Sequence, residues 1–212
     1  MNKAVFFWST WALLSVYLVI LAGAVVRMTG SGMGCPDWPK CFGYLIPPTE
    51  RSQLDWQPDK NYKKGNVIIL DNTLQVATQT FESGDTIDLK NWEVYTKHDY
   101  TTFNATHTWV EFINRLLGAI SGLIVLGLFV RSLWWIRKQP LLPIFSFFAV
   151  VGMGVQAWLG KTVVDSNLLP SKISLHMIMA LLIVSVLLFV RAKSHGKQLK
   201  QPSKNLLMLI VG

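Results

Sequence analysis

Polar side chains that could bind a ligand or catalyse a reaction occur at helical spacing inside an otherwise apolar stretch. Offsets of four, seven and eight residues place them on one helical face: His107, Glu111, Asn114 and Arg115. His176 stands in another apolar stretch. Histidines on two facing antiparallel helices can ligate haem iron through their ring nitrogens. A nearby carboxylate can move protons or stabilise developing positive charge, so redox chemistry on a haem is the first chemistry to consider.

The same residues also have structural interpretations. His107 can cap its helix at the membrane interface, and Glu111 can form an ion pair with Arg115 at the favourable four-residue spacing. Arg115 can instead meet a haem propionate. His176 is harder to explain in this way because it is the one ionisable residue of its apolar stretch. Ionisable groups inside a membrane are costly unless paired, so all of them remain functional candidates.

Cys35 and Cys41 are the two cysteines of the chain. The five residues between them include two prolines and can form a tight loop, and an oxidising compartment allows a disulfide there. A structural staple and a redox-active pair are both open interpretations. A zinc site is improbable, because two cysteines supply only half of the usual four ligands.

The elements that carry these residues are membrane spans. The chain is 51% hydrophobic and 15% charged, whereas a soluble domain has about a quarter charged residues. A hydrocarbon core of roughly 30 Å takes about 20 helical residues. We therefore expect an all-α membrane protein, with a four-helix transmembrane bundle in one membrane domain over residues 1–212. The predicted spans are 4–26, 107–130, 141–164 and 173–190, with the start of a fifth at 206–212 and a long extracytoplasmic loop at 27–106.

Finer features are also predicted. Within the loop, Val67–Leu70 and Trp92–Tyr95 could form short strands. Two groups of residues on the second and third spans could allow close helix packing, namely Gly118 with Gly122, and Gly152 with Gln156 and Gly160. Gln156 could also hydrogen-bond into the site.

The charge distribution predicts the topology. Residues 27–106 contain ten acidic and eight basic residues, while the rest of the chain contains two acidic and twelve basic ones. The bases flank apolar stretches as in a membrane protein, which argues against a nucleic-acid partner. Bases follow the second and fourth spans, so the positive-inside rule places the amino terminus in the cytoplasm and the loop outside.

Three motifs resemble bacterial heme A synthases. Residues 23–41 read Gly-Ala-Val-Val-Arg-Met-Thr-Gly-Ser-Gly-Met-Gly-Cys-Pro-Asp-Trp-Pro-Lys-Cys, similar to the end of that family's first span and its first outer loop. Residues 111–118, Glu-Phe-Ile-Asn-Arg-Leu-Leu-Gly, resemble its Glu-x-x-His-Arg motif. Residues 152–163, followed by Pro170 and His176, are similar to its third and fourth spans.

The resemblance implies eight spans in two four-helix halves, with heme o handled by the amino-terminal half and heme b bound by two histidines of the other. The implied reaction oxidises a methyl group of heme o to a formyl group by successive hydroxylations, giving heme a for cytochrome oxidase assembly. It assigns Glu111 as the catalytic carboxylate, His176 as the haem-site histidine of the fourth span, and Cys35 with Cys41 as the outer-loop pair.

Two departures from the family pattern affect these expectations. Asn114 stands where the motif has histidine, and a neutral amide is a poor iron ligand. We therefore expect either that His107 substitutes as the second iron ligand or that His176 holds the iron alone. The sequence also ends at the start of the fifth predicted span. The heme b half is then missing or lies beyond Gly212, and a half-size homodimer is a further alternative.

The expected function is that of an integral oxidoreductase of the bacterial cytoplasmic membrane. The expected haem-binding residues are His176, His107, Asn114 and Arg115. Expected partners are heme o, the heme o synthase that supplies it, membrane lipid and a second copy of the chain. One alternative is a haem-binding assembly subunit of a respiratory complex. Another is a quinone-linked disulfide oxidase, although such enzymes normally need two cysteine pairs and this chain has one.

Overall fold

Four long helices form the membrane part of the chain. The computed structural model describes residues 2–96 and 103–195. All four helices are long and apolar enough to cross a membrane: α1 Lys3–Met28, α2 Ala105–Ser132, α3 Leu141–Asp165 and α4 Pro170–His195. Each predicted span corresponds to one of these helices, which reach up to five residues past the predicted ends. The fifth predicted span at 206–212 lies outside the described residues.

Asparagine side chains cap the beginnings of two helices. The Asn2 side-chain oxygen accepts the Val5 N–H of α1 at 3.3 Å, and that of Asn104 accepts the His107 N–H of α2 at 3.2 Å. Each cap satisfies a backbone donor that the helix itself leaves without a partner. Short connections at 133–140 and 166–169 then make α2, α3 and α4 run in alternating directions.

The apolar core of the bundle occupies one half of its length. Each helix packs against the next in the chain, and α4 closes on α1. The end of the bundle from which residues 29–96 project is called the loop end. The core cluster lies in the opposite half, which leaves the loop half for polar side chains. Its buried members are Val5, Ala12, Leu13, Val16, Val125, Leu128, Leu142, Ala149, Ile183, Val184, Leu187 and Val190.

The first turns of α1 pack on the end of α4. The Asn2 N–H donates to the Ser194 carbonyl oxygen at 2.8 Å. The Arg191 guanidinium donates to Thr10 at 3.1 Å and lies 4.7 Å from the centroid of the Phe6 ring. These contacts hold the first helix, α1, against the last, α4.

Glycines permit close helix contacts at positions that differ in part from the prediction. A methyl group at Gly152 would lie 3.0 Å from Ile183 of α4, as expected for a packing position. Within the described residues the prediction for Gly118 and Gly122 is wrong, because a methyl group at either would meet no atom of another element within 4 Å. The close approach on α2 is instead at Gly127, where a methyl group would lie 2.5 Å from the Trp8 ring of α1.

The segment between α1 and α2 contains two small antiparallel sheets. One pairs β1 Asn61–Tyr62 with β4 Phe81–Glu82. The other has the order β2-β3-β5, formed by Val67–Leu70, Thr73–Ala77 and Trp92–Val94. Both predicted strands are therefore present, and the all-α class applies to the membrane part alone.

Two apolar clusters hold this segment together. Tyr62, Ile68, Ala77 and Trp92 form one, which lies between the two sheets. The second joins the β2–β3 hairpin to residues 34–44, called the Cys loop. Its buried members are Cys35, Cys41, Phe42, Leu54, Val67 and Leu74. The β2–β3 hairpin therefore packs directly on the Cys loop.

Candidate active site at the loop end of the bundle

Glu111 is a buried carboxylate in the second turn of α2, with 5% of its side chain exposed. Its Oε2 accepts the backbone N–H of Cys35 at 2.9 Å. Its Oε1 accepts a hydrogen bond from the guanidinium of Arg115, one turn further along α2. The ion pair predicted from the four-residue spacing is therefore present, and the backbone of Cys35 binds the second carboxylate oxygen.

Arg115 binds the Cys loop as well as Glu111. One guanidinium nitrogen donates to the backbone carbonyl oxygens of Asp37 at 2.7 Å and Lys40 at 3.0 Å. Arginine presents its donors on separate nitrogens of a planar fork, whereas lysine has a single ammonium nitrogen. Arg115 thus compensates the buried charge of Glu111 and orients two carbonyl groups of the Cys loop.

The Cys loop approaches α2 closely because residue 34 is glycine. A methyl group there would lie 2.3 Å from the carbonyl oxygen of His107 and 2.7 Å from the amide nitrogen of Thr108. The Thr108 hydroxyl donates to the Gly34 carbonyl oxygen at 2.8 Å. This close contact brings the Cys35 N–H within reach of Glu111.

The predicted disulfide between Cys35 and Cys41 is confirmed, with the two Cα atoms 4.8 Å apart and both residues buried. Asp37 lies inside this ring and accepts the Gly43 N–H at 2.8 Å. Burial raises the pKa of the Asp37 carboxyl, while the Gly43 amide and the Arg115 guanidinium act in the opposite direction. The loop therefore contributes a second acidic group near Arg115.

Asn114 and His107 occupy the same helix but have different surroundings. Asn114 faces α1, where its side-chain oxygen lies 3.9 Å from the position of a methyl group on Gly23. That oxygen is buried and has no hydrogen-bond partner among the described residues. His107 is half-buried in the first turn of α2, and its backbone meets Gly34.

His176 lies on α4 and faces α3. The side-chain nitrogen of Gln156 is 3.2 Å from its Nε2 and 3.1 Å from its backbone carbonyl oxygen. A methyl group at Gly160 would lie 3.4 Å from the ring. The predicted stripe of Gly152, Gln156 and Gly160 thus packs on α4, and its polar member binds the candidate iron ligand.

The residues of the loop half suit a haem better than a free metal ion. Within residues 2–96 and 103–195, no three His, Cys, Asp or Glu side chains come together as a metal site. A porphyrin supplies its own equatorial nitrogens and needs only axial ligands from the protein. Buried polar atoms without hydrogen-bond partners among those residues occur at His176 Nδ1, Asn114 Oδ1 and Gln156 Oε1. These atoms are open to a polar ligand.

A family comparison bears on this arrangement. Residues 6–82 and 85–211 match the COX15-CtaA family, described as cytochrome oxidase assembly protein. The chain belongs to this family. The match includes all four helices and most of the segment between α1 and α2.

Curated relatives in the family are named heme A synthase, which confirms the resemblance seen in the sequence motifs. One from Shewanella oneidensis is 26% identical over 182 residues, 86% of this chain and 43% of the relative. One from an Exiguobacterium species is 25% identical over 202 residues, which are 92% of this chain and 49% of the relative. One from Rickettsia prowazekii is 25% identical over an alignment of 212 residues, which covers 95% of this chain and 54% of the relative. The chain spans about half the length of these curated relatives. No solved structure matches it significantly.

The family residues fall into two groups in the structure. Glu111, Arg115 and the Cys loop form one network on α2, while His176 lies on α4 with Gln156. The expectation that the two histidines stand on antiparallel helices is wrong, because α2 and α4 are separated by one helix and run in the same direction. They are also diagonal in the cyclic order of the bundle.

Sequence reasoning missed three contributors to the site, Gly34, Thr108 and Asp37. Asp37 was available as an acidic residue between the cysteines, and Thr108 as a polar residue beside His107. Their contacts join residues more than 70 positions apart in the chain, so periodicity carries no signal of them.

Proposed function

We propose that this chain is an integral-membrane oxidoreductase of the heme A synthase type. Its substrate would be heme o, of which one methyl group is oxidised to a formyl group by successive hydroxylations. The observation that supports this most is that relatives named heme A synthase align over 86–95% of the chain. Membership of this family also favours haem chemistry over the quinone-linked disulfide oxidase.

The proposed substrate site is the loop half of the bundle. His176 would bind the iron of heme o, and Glu111 would lie beside the reacting methyl group. His107 is the proposed second ligand, while Asn114 would contact the porphyrin. Arg115 already binds Glu111 and two loop carbonyls, so we assign it to positioning Glu111 and not to a propionate.

Glu111 would act in the oxidation through its negative charge and its capacity for a proton. Oxidation of a methyl carbon develops positive charge and releases protons, and a buried carboxylate can stabilise the former and accept the latter. The Cys35 N–H and Arg115 hold the carboxylate in one position, which reduces the reorganisation needed during the reaction. Heme b remains assigned to the other half of the family fold.

The test is identification of the haem in purified protein, expressed with and without a heme o synthase. Bound heme o, partly converted to hydroxylated and formyl forms, is the expected result. The variant Glu111→Gln should retain heme o and lose the converted forms, because it keeps the shape and removes the charge. Glu93→Gln on β5 is the matched control, since Glu93 is exposed and lies on a strand that pairs with β3. Protein free of haem whose Cys35–Cys41 bond cycles with quinone would contradict the proposal.

A second candidate is a haem-binding assembly subunit. It is favoured by one observation, that both oxygens of Glu111 already have protein partners, as a structural carboxylate would. In this case the unmodified protein binds haem but forms no oxidised product, and Glu111→Gln changes only stability. The haem identification separates the two candidates.

We also propose the topology that the charges predict, in the bacterial cytoplasmic membrane with the amino terminus inside and the Cys loop outside. One membrane domain would cover residues 1–212, with 27–106 as the extracytoplasmic part. Gln57→Cys should then react with a membrane-impermeant maleimide in intact cells, and Lys138→Cys should not, because both side chains are exposed on opposite ends of the bundle. The reverse labelling would overturn it. Heme o synthase, lipid and a second copy of the chain remain the proposed partners.

A further inference from the structure

The contact between Gln156 and His176 joins α3 and α4 in the loop half of the bundle. The amide nitrogen of Gln156 lies 3.1 Å from the His176 carbonyl oxygen and 3.2 Å from the ring atom Nε2. Both residues are half-buried, and Gly160 leaves room for the ring between the helices. One side chain therefore contacts both the backbone and the ring of the candidate iron ligand.

This geometry selects one tautomer of His176. A carbonyl oxygen only accepts hydrogen bonds, so the amide must present its nitrogen and not its oxygen to the His176 backbone. The second N–H of the same nitrogen then points to Nε2, which must accept it. Nε2 therefore carries the lone pair, and the ring proton is on Nδ1. Rotation of the Gln156 amide by half a turn would place its oxygen about 3.1 Å from the His176 carbonyl oxygen. Two acceptor oxygens at this distance repel each other, so this orientation is disfavoured.

The polar atoms on the far sides of this pair take no part in the contact. His176 Nδ1 and Gln156 Oε1 are buried and have no hydrogen-bond partner among the described residues. Such groups are costly to leave without partners, and a structural pair would be expected to satisfy them. The Gln156–His176 contact therefore leaves one polar atom of each side chain available to a further partner.

We infer that Gln156 is a positioning residue that presets the tautomer of His176 and covers its Nε2 until haem iron binds there. The inference rests on the proposed function, in which His176 is the iron ligand. His176 would hold the iron through the Nε2 lone pair, which Gln156 would release from its hydrogen bond, while the proton stays on Nδ1. No electron is transferred. Gln156 keeps its bond to the His176 carbonyl and remains in place to recapture the ring.

The tautomer can be measured without any haem. Nitrogen chemical shifts of protein labelled with ¹⁵N-histidine distinguish a protonated Nδ1 from a protonated Nε2, and His176→Ala identifies the signal among the four histidines of the chain. The expected result is a proton on Nδ1 in the wild type and loss of this single tautomer in Gln156→Met, which has no donor. A wild-type His176 protonated on Nε2 would overturn the inference, whether or not the variants fold.

Haem affinity gives the second measurement. Titration of the purified, ligand-free protein with hemin should show tighter binding to Gln156→Met, by roughly two- to tenfold, because one competing hydrogen bond is removed from the free state alone. The association rate should rise with it. Gln57→Met is the matched control, since Gln57 is exposed in the segment between α1 and α2. Its affinity should equal that of the wild type.

The outcomes separate the inference from the proposed function. If His176→Ala binds hemin as the wild type does, the proposed ligand is wrong and the inference falls with it. If His176→Ala loses hemin while Gln156→Met binds it equally or more weakly than the wild type, the ligand stands and the role of Gln156 is overturned. Unfolding midpoints of each variant identify loss of binding that comes from loss of the fold.

Discussion

The variant Gly34→Ala tests how the Cys loop is held on α2. Gly34 has φ −69° and ψ −21°, a conformation that alanine adopts readily, so backbone strain is not introduced. The new methyl group would instead lie 2.3 Å from the His107 carbonyl oxygen, 2.5 Å from its carbon and 2.7 Å from the Thr108 nitrogen. All three are backbone atoms of a helix and cannot rotate away. The loop must therefore move by about 1 Å to reach an ordinary contact distance.

A movement of this size breaks the hydrogen bonds at the base of the loop. The distance from the Cys35 nitrogen to Glu111 Oε2 would increase from 2.9 Å to nearly 4 Å, beyond hydrogen bonding. Loss of this charge-assisted bond costs about 1.5–3 kcal/mol, and loss of the bond from Thr108 to Gly34 about 0.5–1.5 kcal/mol. Together they lower the free energy of unfolding by about 2–4 kcal/mol, which lowers Tm by about 5–15 °C for a domain of this size.

The assay is thermal unfolding of the detergent-solubilised protein, followed by tryptophan fluorescence. Gly84→Ala is the matched control, because a methyl group there meets no atom within 4 Å and its φ is not positive. Its Tm should equal or slightly exceed that of the wild type, since alanine restricts the unfolded chain. A Gly34→Ala variant that melts within about 1 °C of Gly84→Ala would refute the reasoning.

Three further predictions concern charge and packing. Because burial raises the pKa of Asp37, the folded protein binds this proton more readily than the unfolded chain, and stability from the group is lost as pH rises. The free energy of unfolding of the wild type relative to Asp37→Asn should therefore increase as pH falls towards 3.8, the ordinary pKa of an aspartate carboxyl. Unfolding curves at several pH values measure this difference, and a difference that does not change with pH would contradict the prediction. Arg115→Lys should lower the free energy of unfolding by about 1–3 kcal/mol and let phosphine reduce the disulfide faster, because one ammonium nitrogen cannot occupy the positions of both guanidinium nitrogens, one on Glu111 and one on the loop carbonyls. Equal reduction rates would exclude this. Gly127→Ala should lower the free energy of unfolding by about 1–3 kcal/mol, because the new methyl group meets the Trp8 ring. Gly122→Ala is the control and should be neutral or stabilising. Equal unfolding midpoints for the two variants would show that the contact with Trp8 is unimportant.

Much of the membrane part could be predicted from the sequence because it depends on local properties. Continuous apolar stretches locate the four helices, and the four-residue spacing of Glu111 and Arg115 predicts their ion pair. The spacing of Cys35 and Cys41 similarly allows their disulfide. In each case the relevant partners are close in the chain, so their relative positions follow from helix or loop geometry.

The rest depends on contacts between distant parts of the chain. Neither Gly34 nor Cys35 carries any sign that it contacts α2, because that contact depends on how the loop folds back. Gly118 with Gly122 has the same spacing as a packing motif but meets no neighbour in the described part of the chain, while Gly127 makes the contact with α1. Which helix face meets a neighbour is decided by all four helices together, which a pattern within one helix does not report.

The contact between the first turns of α1 and the last turns of α4 has a consequence for how such units can be joined. The four helices of the described residues make an even number of crossings, so the end of α4 returns to the side where α1 begins. The two ends lie side by side, joined by a hydrogen bond from the Asn2 N–H to the Ser194 carbonyl oxygen. A duplicated copy fused after α4 would therefore enter the bilayer from the same side and in the same orientation as the first. Gene fusion of such units yields a parallel tandem repeat and needs only a short linker.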